Sequence, residues 1–372
     1  MTLKRQVFTV HIKRITAAAA AILLLVGAGC GKKAPEPPAT RPVTAAVPET
    51  EAAAEAPAGP VNPFTGIAGY SEASLGVKAV GVVVENSPSA RPQWGMSTPD
   101  AVLEYEVEGG ISRMLWIYAD PGVVPAAVGP VRSARHDIVE LALGWDLIFI
   151  HCGGSPAALA LIKDYAGVLY EVEGLRYDGC FTRDGSRNVS SEHTLVLQGE
   201  KLQASLAQLG VDMAVDPAKA APLAFEKENA PRALTGGEGA SLHIEYSSAY
   251  TYDFRYDAST GRYDQSLNGA PVSDAEGISC AYTNVLVLYV DTVDLGDSDG
   301  HLDLLLENGG EGLYLCGGRQ EKIRWEKGGD RDPLRLLTPD GAPLALNPGN
   351  SYIGFVRSSR AGKTVLNDGA IG

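Results

Sequence analysis

The spacing of apolar residues changes along the chain, and each change predicts a different element. Ala17 to Val26 is an unbroken apolar stretch of ten residues. Between 31 and 60 no period survives, because seven Pro and nine Ala alternate with Glu and Thr and no aromatic residue occurs. From 62 to about 210 the pattern is mixed. Val77 to Val84 is nearly continuous and predicts a strand buried on both faces. Residues 102–108 alternate, Gly109-Gly110 interrupt them, and Ile111 to Tyr118 resumes, which predicts a hairpin. Ala134, Ile138, Leu141 and Ala142 carry helical spacing in a Ser133–Leu143 segment stopped by Gly144. Asp146 to Ile150 predicts another buried strand. Ser155 and Pro156 form an N-cap and first-turn pair that opens a helix to about Tyr165. A further helix covers roughly Glu200 to Leu209 before Gly210. Residues 211–240 are rich in Pro, Ala and Gly and predict a connector. From 241 to 357 the period is two: Tyr246, Tyr250, Tyr252, Phe254 and Tyr256 alternate with polar residues, and Val285 to Val290 predicts a core strand. The expected architecture is an α/β (α+β) N-terminal domain over 62–210, a mixed sheet flanked by helices. A smaller β-rich C-terminal domain over 241–357 and a 358–372 tail follow. No internal repeat is visible.

The N-terminus predicts location. Lys4, Arg5, Lys13 and Arg14 precede the apolar stretch, and no acidic residue occurs before Glu36. Ten residues do not span ~30 Å of hydrocarbon, so the segment reads as the core of a secretory signal. Gly27-Ala28-Gly29-Cys30 resembles the lipobox of bacterial lipoproteins, with Gly27 where that motif usually has Leu, and Gly31-Lys32-Lys33 follows. The expectation is a signal peptide over 1–29, lipidation at Cys30, and a Pro/Ala-rich tether to residue 61 that lacks the apolar surface to fold. That places the chain outside the cytoplasm, attached to the bacterial membrane by lipid.

Charge narrows the partners. The formal net charge is −14, and loss of four Lys/Arg with the signal lowers it to −18. A nucleic-acid binder needs a basic face, so that class is set aside. An acidic chain also gains nothing from an anionic lipid surface, which leaves the lipid as the anchor. With 372 residues, 45% hydrophobic and 20% charged, the chain is long enough for two folded domains.

The candidate chemistry lies at two predicted helix starts. Arg132 and Arg135 sit at an N-terminus whose dipole disfavours cations, so they call for a counter-charge: Asp137, Glu140 or a bound anion. Gly153, Gly154 and Ser155 offer backbone N–H groups at a second start. Both lie where an open α/β sheet binds ligands, outside the carboxyl ends of its strands. Arg132, Arg135, His151, Gly153, Gly154, Ser155 and His193 are therefore the candidate ligand-binding residues, for a phosphate or carboxylate. An internal Arg–carboxylate network is the competing reading. Glu104, Glu106 and Glu108 share one strand face, read as a solvated acidic face opposite Leu103, Tyr105 and Val107. His151 or His193 would serve a hydrolase as general base, but no G-x-S-x-G elbow surrounds Ser155. The spacing of His151, Cys152, Cys180 and His193 matches no standard metal motif, and no metal or cofactor is expected. Asp297 to Gly300 imitates part of a calcium loop but lacks its first and last ligands, which reads as a hairpin turn. Cys152, Cys180, Cys280 and Cys316 allow disulfides (152 with 180, 280 with 316) or reduced buried thiols.

The order of motifs is distinctive. Asn62-Pro63-Phe64-Thr65-Gly66, Arg91-Pro92-Gln93, VLEYEVEGGISR (102–113), VGPVRSARHD (128–137), HCGGSP (151–156) and Arg183 to Arg187 before His193 occur in sequence. Tyr263, Asn268-Gly269, Trp325 and Leu346-Asn347-Pro348-Gly349 follow. Together they resemble the YerB-like bacterial lipoproteins, grouped as domain of unknown function 3048, across residues 62 to 356. The chain departs at Ser191-Glu192-His193-Thr194-Leu195, where the family usually reads Pro-His-Asn-Leu-Tyr, and it lacks a second family His near Pro271. The resemblance implies an α/β N-terminal domain, a separate C-terminal domain and a lipid anchor, and no established activity. The function expected is binding of an anionic envelope ligand, such as a wall component, or of an envelope protein. The alternative is an envelope hydrolase or transferase acting on a phosphorylated or glycan substrate.

Overall fold

The computed structural model describes residues 59–367 and 369–370. The signal segment, Cys30 and nearly all of the tether lie outside the described residues.

Five strands and three helices of the first half frame the candidate site. They are β1 (Val80–Glu85), β2 (Ala101–Glu106), β3 (Ser112–Tyr118), α1 (His136–Gly144), β4 (Ile148–His151), α2 (Pro156–Asp164), β5 (Glu171–Glu173) and α3 (Gly199–Leu209). Among the described residues the larger sheet has eleven strands. Its order runs from Arg335–Leu337 through Arg319–Glu326, Gly310–Cys316, Asn284–Val290 and Ser351–Arg357 into β2, β3, β1, β4 and β5. The hairpin β2–β3 is antiparallel, β1 is antiparallel to β3, and β4 and β5 continue in parallel. The seam between the two halves of the chain is a parallel pairing of β2 with the 351–357 strand, Ala101 opposite Ser351 and Tyr105 opposite Phe355. Segments on both sides of the 211–240 connector thus contribute to one sheet. The C-terminal part is β-rich, and the fold class is the mixed α/β one expected.

Side-chain alternation divides the sheet into two buried faces. On one, Val83, Leu103, Leu115 and Phe149 pack against Ile138, Leu141 and Ala142 of α1 and Ala158 and Ile162 of α2. On the other, Val82, Val102, Trp116 and Ile150 meet Leu202 and Leu206 of α3 and a second sheet. That seven-stranded sheet is built mainly from Ser241–Ser247, Tyr250–Asp257 and Arg262–Leu267. Its Ile244, Tyr246, Tyr252 and Phe254 supply the facing layer. Covered on both sides, β1 loses its alternation and reads as a continuous apolar run. Each buried Val or Leu there contributes about 1.5–3 kcal/mol.

The second sheet corrects the reading of the β2 carboxylates. Glu104 is fully buried and Glu106 nearly so. The face that alternation marks as polar is roofed by tyrosines from far along the chain. Glu104 Oε1 accepts from Asn86 Nδ2 (3.0 Å), Tyr252 OH (2.9 Å) and Ser112 Oγ, and Oε2 accepts from Tyr352 OH at 2.8 Å. Tyr352 and Tyr246 are linked hydroxyl to hydroxyl at 2.8 Å, and Tyr246 donates to the Glu104 carbonyl. Burial pushes the Glu104 carboxyl above its ordinary range, and the four donors oppose that rise. Glu106 instead pairs with Arg357 Nε at 2.6 Å.

Among the described residues no helix is long and apolar enough to cross a membrane.

Candidate functional site

The helix α1 begins three residues later than its apolar spacing predicts, and this changes both arginines. Val131 bridges Val84 and the Arg132 N–H donates to Val83 O, so residues 131–132 extend the sheet instead of starting a helix. Arg135 occupies the N-cap position in extended geometry. The next segment lies beside the 152–155 loop. Cys152 N–H donates to Arg132 O, Ala134 N–H to Gly153 O and Ser155 N–H to Ala134 O.

Each guanidinium finds an internal carboxylate other than Asp137 or Glu140. Arg135 makes a two-pronged pair with Glu108, Nε to Oε2 at 3.0 Å and the second prong to Oε1, and also donates to Ala134 O. That neighbour outweighs burial and holds the Glu108 carboxyl below its usual range. Arg132 stands between two acids: its Nε lies 3.4 Å from the buried Glu85, and its terminal nitrogen donates to Glu192 Oε2 at 2.7 Å. Arg113, fully buried, opposes Glu85 in register and donates to Ser133 O at 2.7 Å. Burial and the charge of Arg135 bring its pKa down to about 10.

His193 joins the Arg132 group through Nδ1, 2.9 Å from Glu85 Oε2. Arg183 donates to Ser191 O across the 183–193 loop that carries His193. His151 is separate. It is buried at the end of β4, stacked on Phe149 at 5.0 Å, with Nδ1 2.8 Å from Gly153 O and Nε2 2.9 Å from Glu171 Oε2. Both ring nitrogens are therefore engaged, which leaves neither for a substrate proton in this arrangement. Glu171 and Glu173 share Arg176, and Glu173 Oε1 takes the Gly153 N–H at 2.7 Å. The anion cradle proposed at 153–155 thus has its first amide filled by a carboxylate and its third by a carbonyl. Ser155 caps α2 by accepting from Ala158 N–H at 3.3 Å. Gly153 needs its φ of +71° to turn the strand into this loop.

All four described cysteines are free. Burial and the nearby Glu173 raise the Cys152 thiol above its ordinary pKa, which opposes a reactive thiolate. The 297–300 segment is the turn of the hairpin joining Thr292–Asp294 to Leu302–Leu304, with Asp297 accepting from the Asp299 and His301 amides at 3.1 Å.

Glu85, Glu171, Glu173 and Glu192 are the site residues that sequence reasoning left out. The Glu171-Val172-Glu173 alternation on a short strand was a visible signal for two of them; Glu85 reads as the polar end of an apolar run. The Asn62–Gly66 motif has a structural task. Asn62 Nδ2 donates to Asp100 Oδ1 at 3.1 Å, Phe64 packs edge-on against Trp145 at 5.7 Å, and Gly349 N–H donates to Thr65 O at 2.7 Å. That knot lies along a cleft of about 670 Å³ reached by Arg262 and Asn350.

The comparisons agree with this architecture. Residues 64–212 match the protein of unknown function (DUF3048) N-terminal domain, and 242–353 match the DUF3048 C-terminal domain. The "Putative lipoprotein YerB" of Bacillus subtilis (strain 168) is 31% identical over 285 residues, covering 75% of this chain and 81% of that protein. The crystal structure of the Bacillus subtilis YerB protein superposes with a TM-score of 0.69 at 29% identity, covering 80% of this chain and 96% of the other. The motif order, both domain matches and the shared fold agree: the chain belongs to the YerB-like family of paired DUF3048 N- and C-terminal domains.

Proposed function

We propose that this chain is a lipid-anchored extracytoplasmic lipoprotein that binds an anionic envelope ligand at the Arg132 face, in exchange for the Glu192 carboxylate. The location rests on the lipobox-like Gly27–Cys30 stretch and on the relative described as a lipoprotein. The observation that carries the ligand reading is the asymmetry of the two acids on Arg132. Glu85 is 2% exposed and fixed beneath the guanidinium, whereas Glu192 is 50% exposed and reaches over it from the 191–193 turn. An exposed ion pair is worth about 0–1 kcal/mol, so a phosphate or carboxylate ligand displaces Glu192 at little expense. Arg132 then acts as the charge partner and His193, held by Glu85, as a second donor.

The test is thermal unfolding of the full chain with orthophosphate, a sugar phosphate and wall-glycan fragments, on wild type, Glu192→Gln and Arg132→Ala. A ligand at 100 times its Kd stabilises by ~2.7 kcal/mol. The expected pattern is a shift in wild type, a larger one in Glu192→Gln and none in Arg132→Ala. No shift in either of the first two rejects the anion reading and leaves a protein partner.

A further inference from the structure

A different cluster, at the first turn of α1, carries an inference independent of the anion reading. The first turn of α1 presents His136 and Asp137 toward Asp303 on the Leu302–Leu304 strand. One donor atom from each lies within 4.8 Å of the others. His136 Nε2 is 3.0 Å from Asp303 Oδ1 and 3.5 Å from Asp137 Oδ1. Donors held ~2.1 Å from a tetrahedral centre stand about 3.4 Å apart, so these separations are those of adjacent ligands around one cation.

The second observation comes from Asp137. Its side chain is 1% exposed; Oδ1, the oxygen nearer His136, accepts the Leu304 N–H at 2.8 Å, and Oδ2 of the same carboxylate has no hydrogen-bond partner among the described residues. A buried carboxylate oxygen is seldom left in that state without an ion or water to satisfy it. The Leu304 hydrogen bond also fixes the carboxylate between the helix and the strand, so the cluster is positioned from both elements. Lys327, which pairs with Glu140 of the same helix, is committed to that carboxylate at 3.4 Å and to the Gly329 and Asp330 carbonyls. His136 and Asp303 are partly exposed, 15% and 33%, which gives an ion an entrance.

We propose that His136, Asp137 and Asp303 form a binding site for one divalent first-row transition cation, with solvent completing its coordination. One imidazole nitrogen and two carboxylates suit Zn2+ or Mn2+ better than Ca2+, which takes an all-oxygen shell of six to eight ligands. The ion joins the N-terminus of α1 to the strand of the 292–304 hairpin. Its role is to fasten that hairpin to the helix layer.

The test is isothermal titration of the metal-stripped full chain with Zn2+, Mn2+ and Ca2+, and absorption spectroscopy with Co2+ as a probe of nitrogen and oxygen ligation. The variants are His136→Gln and Asp303→Asn, both at partly exposed positions, with His301→Gln as the control for binding at the neighbouring His301–Asp297 pair. The expected result is one equivalent of Zn2+ or Mn2+ bound more tightly than Ca2+, with the Co2+ visible bands lost in His136→Gln. Each cluster variant should weaken binding by at least about tenfold, since even changes to outer-shell partners reach that size, and His301→Gln should not. No saturable binding in wild type overturns the site, leaving an imidazolium held by two acids. Binding that survives both cluster variants overturns it equally.

Discussion

Glu104 makes the sharpest demand on the structure, because four donors from four separate segments converge on one carboxylate. Glu104→Ala removes the acceptor and leaves each donor to its alternatives. Asn86 Nδ2 keeps Ser112 Oγ at 2.8 Å and Tyr252 OH at 2.7 Å, and Tyr352 keeps Tyr246. The Ser112 and Tyr252 hydroxyl protons lose their acceptor. Two stranded buried donors at about 1–3 kcal/mol each predict a loss of about 2–6 kcal/mol. Glu104→Gln keeps the shape and one acceptor oxygen, and Tyr352 can turn its hydroxyl to accept from the amide, so its loss should stay under about 2 kcal/mol. Urea titration of wild type and both variants, followed by fluorescence of the buried Trp116, Trp145 and Trp325, measures the difference. The same group sets a pH dependence. Burial raises the folded-state pKa of Glu104 above its unfolded value, so the folded form holds the proton more tightly. Its contribution is full below the ordinary carboxylate range and is lost as pH rises through the raised value; Glu104→Gln should flatten that decline. An Ala variant within ~1 kcal/mol of wild type, or a Gln variant as damaged as Ala, refutes the account of the interface as a satisfied network.

Other predictions separate structural from exchangeable contacts. Glu192→Ala, at an exposed pair, should change stability by no more than about 0.5 kcal/mol, whereas Arg135→Ala, which strands the half-buried Glu108, should lose about 1–3 kcal/mol in the same titration. Phe64→Ala removes a 2% exposed ring from Trp145 and should cost about 3–5 kcal/mol, read as a lowered unfolding temperature. Gly129→Ala places a Cβ 2.8 Å from Leu195 O at φ +146°, and should reduce stability by more than ~1 kcal/mol; an unchanged unfolding midpoint would contradict the tight crossing there. Cys152 should alkylate with iodoacetamide more slowly than a free thiol at neutral pH, and Glu173→Gln should speed it.

Local pattern made most of the strands, the hairpin and the three helices legible, because β1 is one apolar run, β2 alternates, α2 opens on Ser155-Pro156 and α3 closes at Gly210. What escaped came from distance. An alternating strand such as 102–108 looks the same whether water or a second sheet covers its polar face; only Tyr246, Tyr252 and Tyr352, more than a hundred residues on, decide between them. The start of α1 was misjudged because Ser133 imitates a cap while Val131 and Arg132 are claimed by β1. The arginines were singled out as needing counter-charges, which they have, but Glu108 lies in the β2–β3 hairpin turn, 27 residues before Arg135, and Glu192 on a loop sixty residues after Arg132. Spacing alone carries no information about such partners.

The parallel pairing of β2 with the 351–357 strand has a consequence for how the chain is made. A ribosome finishes the whole first half before the strand that must lie beside β2 exists. Until then β2 has an open edge on one side, and Glu104 lacks Tyr252 and Tyr352 to bond it. An edge of that kind invites non-native pairing, and closure of so long a loop is slow. For the exported lipoprotein proposed above, the same delay would keep the first half incompletely zipped, and so threadable, until the last strands are through.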